Sequence, residues 1–345
     1  MQSRTVAVLA GLMWAAAMPT AQAAGEIRVI SDRTPAHLEP LFEQYEQGAG
    51  VTIRSVFVDD GLIARLSARP TEADVIITST ADILEQAKLD DLIRPIPEAA
   101  IANVRPEFRD PGGKYVMLSY RARALYVSKD RVKPGEITRY EQLAEPRWKG
   151  RVCIRSGYHR YNVSLFAQMA ADRGVEWTRA FMTGLRDNLA RPPKGNDRNQ
   201  VRGIFEDVCD VAIANSYYMG IMLGRDDQRA WGEAAAVVFP DQQGRGSYVL
   251  TGGMALTAAD RAVEEATAFM RFMLSDYGQR FIANTTYEYP VIESVELPAA
   301  NRALGGTQPE VKGGRFKANV VPLGEIEGQR AVVSAILDEI DFNRQ

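Results

Sequence analysis

The side chains of this sequence that could support chemistry are above all tyrosines. Tyr217 and Tyr218 are adjacent, at the point where a buried-looking strand pattern over 210–214 gives way to a helical pattern. In open α/β sheets ligands bind beyond the carboxyl ends of strands, so this junction is a suitable place for a site. Neighbours on a regular strand point to opposite faces, so the two phenols can converge only if the turn is irregular. The alternative is that both rings are core or interface aromatics, the usual role of tyrosine.

Three further residues are weaker candidates for the same site. Tyr161 begins a helical pattern, and the alternative for it is an ordinary surface tyrosine. Arg121 and Arg123 lie in the run Tyr-Arg-Ala-Arg over 120–123. Their guanidiniums could bind an anion or neutralise phenolates, because guanidinium pairs well with oxygen anions. The alternative for both arginines is a solvated strand end.

Signatures of enzymes are missing from the sequence. The two histidines, His37 and His159, are too far apart for a His-x-x-x-His zinc site. There is no phosphate-binding Gly-x-x-x-x-Gly-Lys-Ser/Thr loop, no dinucleotide glycine motif and no Gly-x-Ser-x-Gly elbow. An exported hydrolase would need an activated nucleophile or a metal-bound water, and no pattern supplies either. We therefore expect a binding protein and not an enzyme.

Composition places the chain among soluble globular proteins. It has 345 residues, 46% of them hydrophobic and 25% charged, which excludes the disordered and fibrous classes. The length predicts about two domains. Its formal net charge is −3, from 41 basic and 44 acidic side chains. Without a basic field to attract phosphate backbones, nucleic acid is not expected as a partner.

The N-terminal residues 1–24 have the pattern of a cleaved signal peptide. Arg4 precedes an apolar run over 6–18, and the small-residue pattern Ala-Gln-Ala follows at 21–23. The run is shorter than the ~20 residues that span a bilayer, although an uncleaved anchor helix is the alternative. No cysteine near the cleavage site could carry a lipid. The mature protein is therefore expected to be soluble and periplasmic or secreted.

Cys153 and Cys209 are the only cysteines. An exported protein matures where disulfides persist, so an even pair favours a bridge. The alternative is two buried thiols, because sequence does not show how close their Cα atoms lie.

The rest of the chain alternates β-branched runs with amphipathic segments, a pattern typical of parallel sheets covered by helices. The first block has strands at 27–30, 51–58 and 73–78 and helices at 35–47, 61–68 and 80–89. Two strands are then predicted at 114–118 and 124–127, followed by a second block of the same kind.

We expect two α/β lobes with a hinged cleft between them, which is the natural ligand site. The predicted division is 25–120 for lobe 1, 121–240 for lobe 2, and 241–345 for a return to lobe 1 plus C-terminal helices. Within that last part 299–314 is predicted as a loop and 327–340 as a closing helix.

Taken together, these segments resemble the periplasmic ferric-iron-binding proteins of bacterial ABC importers. The resemblance runs in order from about 26 to 293. The matching segments are 120–130, 148–156, 161–165, 190–197, 209–218 (Cys-Asp-Val-Ala-Ile-Ala-Asn-Ser-Tyr-Tyr) and 287–291 (Tyr-Glu-Tyr-Pro-Val).

That resemblance implies a two-lobed periplasmic binding protein of type II-like fold, with ferric iron as cargo in the interlobe cleft. It implies that Tyr161, Tyr217 and Tyr218 are phenolate ligands and that Arg121 is a cation close to the metal. It also favours the disulfide between Cys153 and Cys209. The implied partners are ferric iron and an inner-membrane ABC permease with its ATPase, and the carrier is expected to be a monomer. Ferric iron is a hard cation and phenolate a hard oxygen donor, so three phenolates would neutralise the ion with release of protons.

One segment departs from the family pattern. Its members usually carry Tyr-x-Ser-Arg-His-Tyr after the first strand, whereas residues 30–35 are Ile-Ser-Asp-Arg-Thr-Pro. Asp32 or His37 could substitute for the missing donors, or water or an anion such as carbonate or citrate could complete the coordination. The alternative for His37 is an exposed residue in the first turn of a helix. The departure also leaves open a relative that captures a small organic anion or an iron chelate through Arg121, Arg123 and the tyrosine hydroxyls.

Overall fold

A computed structural model describes residues 25–344 of the chain. The predicted signal peptide, 1–24, lies outside the described residues. Within the described part no helix is both long enough and apolar enough to cross a membrane.

The strands and helices alternate along most of the chain. The strands are β1 (Glu26–Ser31), β2 (Thr52–Phe57), β3 (Val75–Thr78), β4 (Ile93–Arg94), β5 (Val116–Ser128), β6 (Val152–Cys153), β7 (Val211–Asn215), β8 (Ala235–Val238), β9 (Ser247–Thr257), β10 (Tyr289–Pro290) and β11 (Ala318–Asn319). The α-helices are α1 (Glu39–Ala49), α2 (Leu62–Ala68), α3 (Asp82–Leu89), α4 (Glu98–Ile101), α5 (Arg160–Arg173), α6 (Val175–Asp187), α7 (Asp197–Phe205), α8 (Tyr218–Leu223), α9 (Arg229–Glu233), α10 (Val263–Met273), α11 (Asp276–Thr286), α12 (Ala299–Arg302) and α13 (Leu323–Glu339).

The first lobe is built on a mixed sheet. Strands β2, β1 and β3 lie parallel, and β9 joins the sheet antiparallel to β3. The expected first βαβαβ unit is therefore present. Strand β3 (Val-Ile-Ile-Thr) is buried along its whole length, as expected for a strand covered by helices on both faces.

Two long strands join this sheet to that of the second lobe. The β5 residues 116–122 pair with β9, whereas residues 123–127 pair with β7. The prediction of two separate strands at 114–118 and 124–127 was wrong, since β5 is one strand of 13 residues. Arg121 and Arg123 looked like a polar interruption, but both side chains are buried and paired inside the protein. Strand β9 runs antiparallel to β5 and leads the chain back to the sheet of the first lobe.

The second lobe has its own sheet and core. Strand β6 is parallel to β7, and both β7 and β8 are antiparallel to β5. Helices α5 and α6 cover this sheet through a core that includes Phe166, Met182 and Leu185. The closing helix, α13, packs on α5 and contributes Val333 and Leu337 to the same core. The predicted loop at 299–314 contains the short helix α12.

The disulfide between Cys153 and Cys209 is formed, with a Cα–Cα distance of 5.9 Å. It joins β6 to the segment just before β7. Strands β6 and β7 are neighbours in the sheet. The bridge therefore supports the strand that ends at the predicted tyrosine pair.

Candidate functional site

The turn between β7 and α8 is held in place by hydrogen bonds from β5. The backbone N–H of Ser216 donates to the carbonyl of Ala122 at 2.9 Å, and the Ser216 hydroxyl accepts from the Ala122 N–H at 3.2 Å. The Tyr126 hydroxyl donates to the carbonyls of Asn215 (2.9 Å) and Ser216 (3.2 Å). Strand β5 therefore fixes the point at which the next two side chains leave the sheet.

Tyr217 and Tyr218 converge at this turn. Tyr217 already has helical backbone angles, so the two residues do not alternate as they would on a strand. Their rings lie 4.2 Å apart, centroid to centroid. Burial, followed by the phenols of Tyr161 and Tyr218, raises the pKa of Tyr217 well above its ordinary value, against the opposing charge of Arg121. Burial and the Asp197 carboxylate raise the pKa of Tyr218 to about 12.

Tyr161 reaches the same place from the start of α5. Its backbone N–H donates to Nδ1 of the N-cap residue His159 at 3.2 Å, which fixes the first turn. Three guanidiniums lie around the Tyr161 ring: Arg155 at 5.5 Å, Arg121 at 5.6 Å and Arg123 at 5.9 Å from its centroid. The three predicted tyrosines are thus brought together, each acting electrostatically on another.

Arg121 is buried beside the tyrosines. Its Nη1 donates to the carbonyl of Ser79 at 2.8 Å and lies 3.4 Å from Glu288 Oε1, while its buried Nε has no partner among the described residues. Burial lowers the pKa of this guanidinium, but Glu288 and the three phenols oppose the effect and raise it overall. Arg121 therefore stays charged and keeps an unused donor near the phenols.

Arg123 is held in a buried network. Its Nη1 donates to Asp197 Oδ2 at 2.6 Å and to Asn215 Oδ1 at 3.0 Å, and its Nη2 donates to Asn162 Oδ1 at 2.7 Å. Asp197 also accepts from the backbone N–H of Asn215 at 3.0 Å. These contacts make Arg123 a support for the turn and for α5, and its role in binding an anion stays a prediction.

Asp32 and His37, the candidate substitute ligands, lie in the first lobe. Asp32 Oδ1 accepts from the backbone N–H of Ser79 at 2.5 Å, and its Oδ2 accepts from the Ser79 hydroxyl at 2.8 Å and lies 3.3 Å from Arg160 Nη2. Both carboxylate oxygens are therefore occupied. Burial, followed by the positive charge of Arg33, lowers the pKa of His37, against the opposing effect of Glu288.

Arg33, which follows β1 in the segment where the family donors are missing, forms a buried ion pair with Glu288. Arg33 contacts Glu288 Oε2 at 3.1 Å through Nη1 and Nη2, and its Nη2 donates to the Ser119 hydroxyl at 2.8 Å. A Cβ atom at Gly252 would lie 2.1 Å from that Nη2, so only glycine leaves room for the guanidinium. Burial raises the pKa of Glu288, but Arg33, Arg121 and the Ser119 hydroxyl outweigh it, and the pKa lies at about 2.

The donors of this site are phenol oxygens. Among residues 25–344, no three His, Cys, Asp or Glu side chains are grouped so that they could hold a metal ion. Three convergent phenols with guanidiniums beside them suit a hard, highly charged cation, an anion, or both together. A cavity of about 410 Å³ lies between α3, α5 and α13 and does not include the tyrosines.

Several residues of the site were not predicted from the sequence. Glu288 lay in a segment quoted for the resemblance but had no role assigned, and Arg33 is 255 residues away from it. Asp197, Arg155 and Arg160 were likewise not singled out. Only their three-dimensional contacts identify them, because arginines and aspartates at such separations give no pairing signal in one sequence.

Known proteins with the same architecture are numerous. A family model described as bacterial extracellular solute-binding protein matches residues 71–314. Iron uptake protein A1 of Synechocystis sp. is 33% identical over 320 residues, covering 91% of this chain and 86% of that protein. Among solved structures, ferric iron-binding protein A of Mannheimia haemolytica in an open conformation has a TM-score of 0.84 and 35% identity, covering 93% of this chain and 100% of that one. A Trichodesmium protein in complex with iron and citrate ligands has a TM-score of 0.84 and 27% identity, covering 92% of this chain and 100% of that one. The shared fold confirms the expected two-lobed α/β architecture.

Proposed function

The chain belongs to the family of bacterial extracellular solute-binding proteins, and from this premise we propose that it captures ferric iron through tyrosine phenolates in the cleft between its lobes. This family is a class of transport proteins that bind solutes and not a class of enzymes. Relatives that bear the names of iron uptake and ferric iron binding support iron as the cargo. The observation that carries the proposal is the convergence of three phenols from α5 and from the β7–α8 turn.

Tyr161, Tyr217 and Tyr218 are the proposed ligands. The high pKa values of Tyr217 and Tyr218 keep both phenols protonated at neutral pH until a metal displaces their protons. Ferric iron can displace these protons, since a highly charged cation favours the deprotonated form of the groups that bind it. Three phenolates then neutralise the trivalent ion inside a partly buried site.

Arg121 is the proposed anchor for an anion that completes the coordination. Three phenolates do not fill all positions around a six-coordinate ion. The two candidate donors of the first lobe interact with other side chains instead. Asp32 is occupied by Ser79 and Arg160, and the charged groups that act on His37 are Arg33 and Glu288. The unpartnered Nε of Arg121 supports an oxygen anion such as carbonate or citrate next to the phenols.

The transport context follows from the family and from the predicted signal peptide. We propose a periplasmic, monomeric carrier that delivers its cargo to an inner-membrane permease with an ATPase. The proposed lobes are 25–120 and 121–240, with 241–345 returning to the first lobe before the C-terminal helices. The pairing of β5 residues 116–122 and 123–127 with different strands supports a boundary close to 120.

A second candidate function is the capture of an iron chelate or a small organic anion. The observation that favours it is the cationic surroundings of Tyr161, where Arg121, Arg123 and Arg155 lie within 6 Å of the ring. Such a site would hold a polyanion without a direct phenolate–iron bond.

The test is a titration of the chelator-stripped mature protein with ferric nitrilotriacetate. Binding through phenolates produces a visible phenolate-to-iron charge-transfer band, which should saturate near one equivalent. The band should be lost in Tyr217→Phe/Tyr218→Phe and reduced in Tyr161→Phe. Tyr158→Phe is the matched control, because the Tyr158 hydroxyl contacts Asp338 and not the site.

Absence of the band in the native protein would refute direct phenolate binding. Thermal stabilisation by citrate or by ferric citrate, without the band, would then support the second candidate, since a ligand stabilises the folded state to which it binds.

A further inference from the structure

The Arg160 side chain connects the two lobes directly beside the proposed metal ligands. Arg160 is the first residue of α5, and its Nη2 donates to the hydroxyls of Thr80 (2.7 Å) and Ser79 (2.8 Å). The same Nη2 lies 3.3 Å from Asp32 Oδ2. Helix α5 belongs to the second lobe, whereas these three acceptors follow β1 and β3 in the first. We call these four residues the cross-lobe bridge.

The first-lobe half of the bridge is prearranged. Asp32 is held by two hydrogen bonds from Ser79, and its side chain is only 4% exposed. These bonds fix the carboxylate at the ends of two neighbouring parallel strands. A buried, fixed carboxylate beside two hydroxyls forms an acceptor site for one guanidinium, because charge-assisted hydrogen bonds are stronger than neutral ones.

The proposed metal ligands cannot close the cleft by themselves. Tyr161, Tyr217 and Tyr218 all belong to the second lobe, so their bonds to iron can form whether the lobes are open or closed. A ligand shifts a conformational equilibrium only through contacts that differ between the two states. Closure over the cargo therefore needs contacts that cross from one lobe to the other.

We propose that the cross-lobe bridge supplies this closing interaction, so that Arg160 is a positioning residue that slows the release of cargo. This inference rests on the proposed function. Because Arg160 directly precedes Tyr161, metal binding and lobe closure act on the same helix turn. A further ion pair between the lobes, Arg330 on α13 with Asp82 on α3, is longer at 3.5 Å.

The experiment compares Arg160→Ala, Asp32→Asn and the double variant with the native protein. Each is loaded with ferric iron, and the decay of the charge-transfer band is followed after addition of excess ethylenediaminetetraacetate. Small-angle scattering measures the radius of gyration with and without iron. Arg225→Ala is the matched control, because it removes an exposed arginine whose partner, Asp227, lies in the same lobe.

We expect the band and its one-equivalent stoichiometry to be kept in every variant. The Arg160 side chain is 40% exposed, so the loss of its contacts should speed iron release roughly tenfold. The double variant should release iron no faster than the faster single variant, because both changes remove one shared interaction. Arg160→Lys should recover part of the slow release, since its ammonium can contact some of the same oxygens. The loaded variants should have a larger radius of gyration than the loaded native protein.

Three results would overturn the proposal: release at the native rate, additive effects in the double variant, or loss of the band when only Arg160 or Asp32 is changed. Failure of the proposed function gives a different result, the absence of a band in the native protein. In that case small-angle scattering of the iron-free proteins tests the cross-lobe bridge without reference to iron. An equal radius of gyration for native protein and Arg160→Ala would then refute it.

Discussion

Glu288 provides the strongest test of how the first lobe is held together. Its carboxylate is buried between Arg33 and Arg121 and accepts a hydrogen bond from the Ser119 hydroxyl. The folded protein lowers the pKa of Glu288 from 4.5 to about 2. A carboxyl whose pKa is lower in the folded state stabilises that state above the unfolded pKa, and this contribution is lost as pH falls toward the folded pKa. The relevant window is therefore pH 5 to pH 2.

The magnitude follows from the gap between the two pKa values. Since one pKa unit corresponds to about 1.4 kcal/mol, ionised Glu288 contributes about 3 kcal/mol near pH 6 and about 1 kcal/mol at pH 3. Glu288→Gln keeps the shape of the side chain but cannot ionise. The difference in free energy of unfolding between native protein and variant should therefore shrink by about 2 kcal/mol from pH 6 to pH 3.

Urea denaturation at a series of pH values, followed by tryptophan fluorescence, measures this difference. Glu43→Gln is the control, because Glu43 is exposed on α1 and should show no comparable trend. A native-to-variant difference that stays constant over the whole window would refute the assignment of Glu288 as an ionised, guanidinium-paired group.

Three further predictions follow from the fold and from the proposed site. Removing the disulfide with Cys153→Ser/Cys209→Ser frees a loop of 56 residues and should lower the free energy of unfolding by about 4 kcal/mol, measured by denaturation under oxidising conditions; an unchanged value would contradict it. Asp197→Asn leaves the Arg123 charge buried without a counter-ion and should cost about 3 kcal/mol by the same assay, whereas a cost below about 1 kcal/mol would show that Asn restores the network. Iron uptake at pH 7 should release at least two protons from the adjacent tyrosines of the β7–α8 turn, measured with an indicator dye in weak buffer against a chelate blank; release of less than one proton would exclude phenolate binding.

The sequence predicted the parts of the site that depend on local pattern. The strand-to-helix change at 215–218 was visible in the hydrophobic pattern, and the structure places the rings of Tyr217 and Tyr218 4.2 Å apart at an irregular turn. The single long strand β5 was missed, because an arginine pair inside a buried strand looks like a strand end. Its burial depends on Asp197 and Glu288, which are far away in the chain.

The roles of polar residues in the first lobe could not be predicted in the same way. Asp32 was a reasonable candidate ligand by type and position, but its two hydrogen bonds from Ser79 depend on the pairing of β1 with β3. Likewise, the contact between Arg33 and Glu288 requires the glycine at 252 to leave space. Such contacts depend on packing between distant segments, which neither periodicity nor residue type reveals.

In the proposed carrier the bonds to the metal and the contacts that close the cleft are made by different residues, which favours release. The phenols proposed as metal ligands come from the second lobe, while the first lobe uses its polar groups for the Arg33–Glu288 pair and for the acceptors of Arg160. In this proposal, opening the cleft breaks hydrogen bonds and ion pairs between the lobes but no bond between a phenolate and the metal. A carrier whose closing contacts are separate from its metal bonds can be opened at a cost of a few hydrogen bonds, after which the exposed ion exchanges with a competing ligand. If a first-lobe side chain were also a ligand, opening would have to break a charged metal bond as well, and release would be slower for the same affinity.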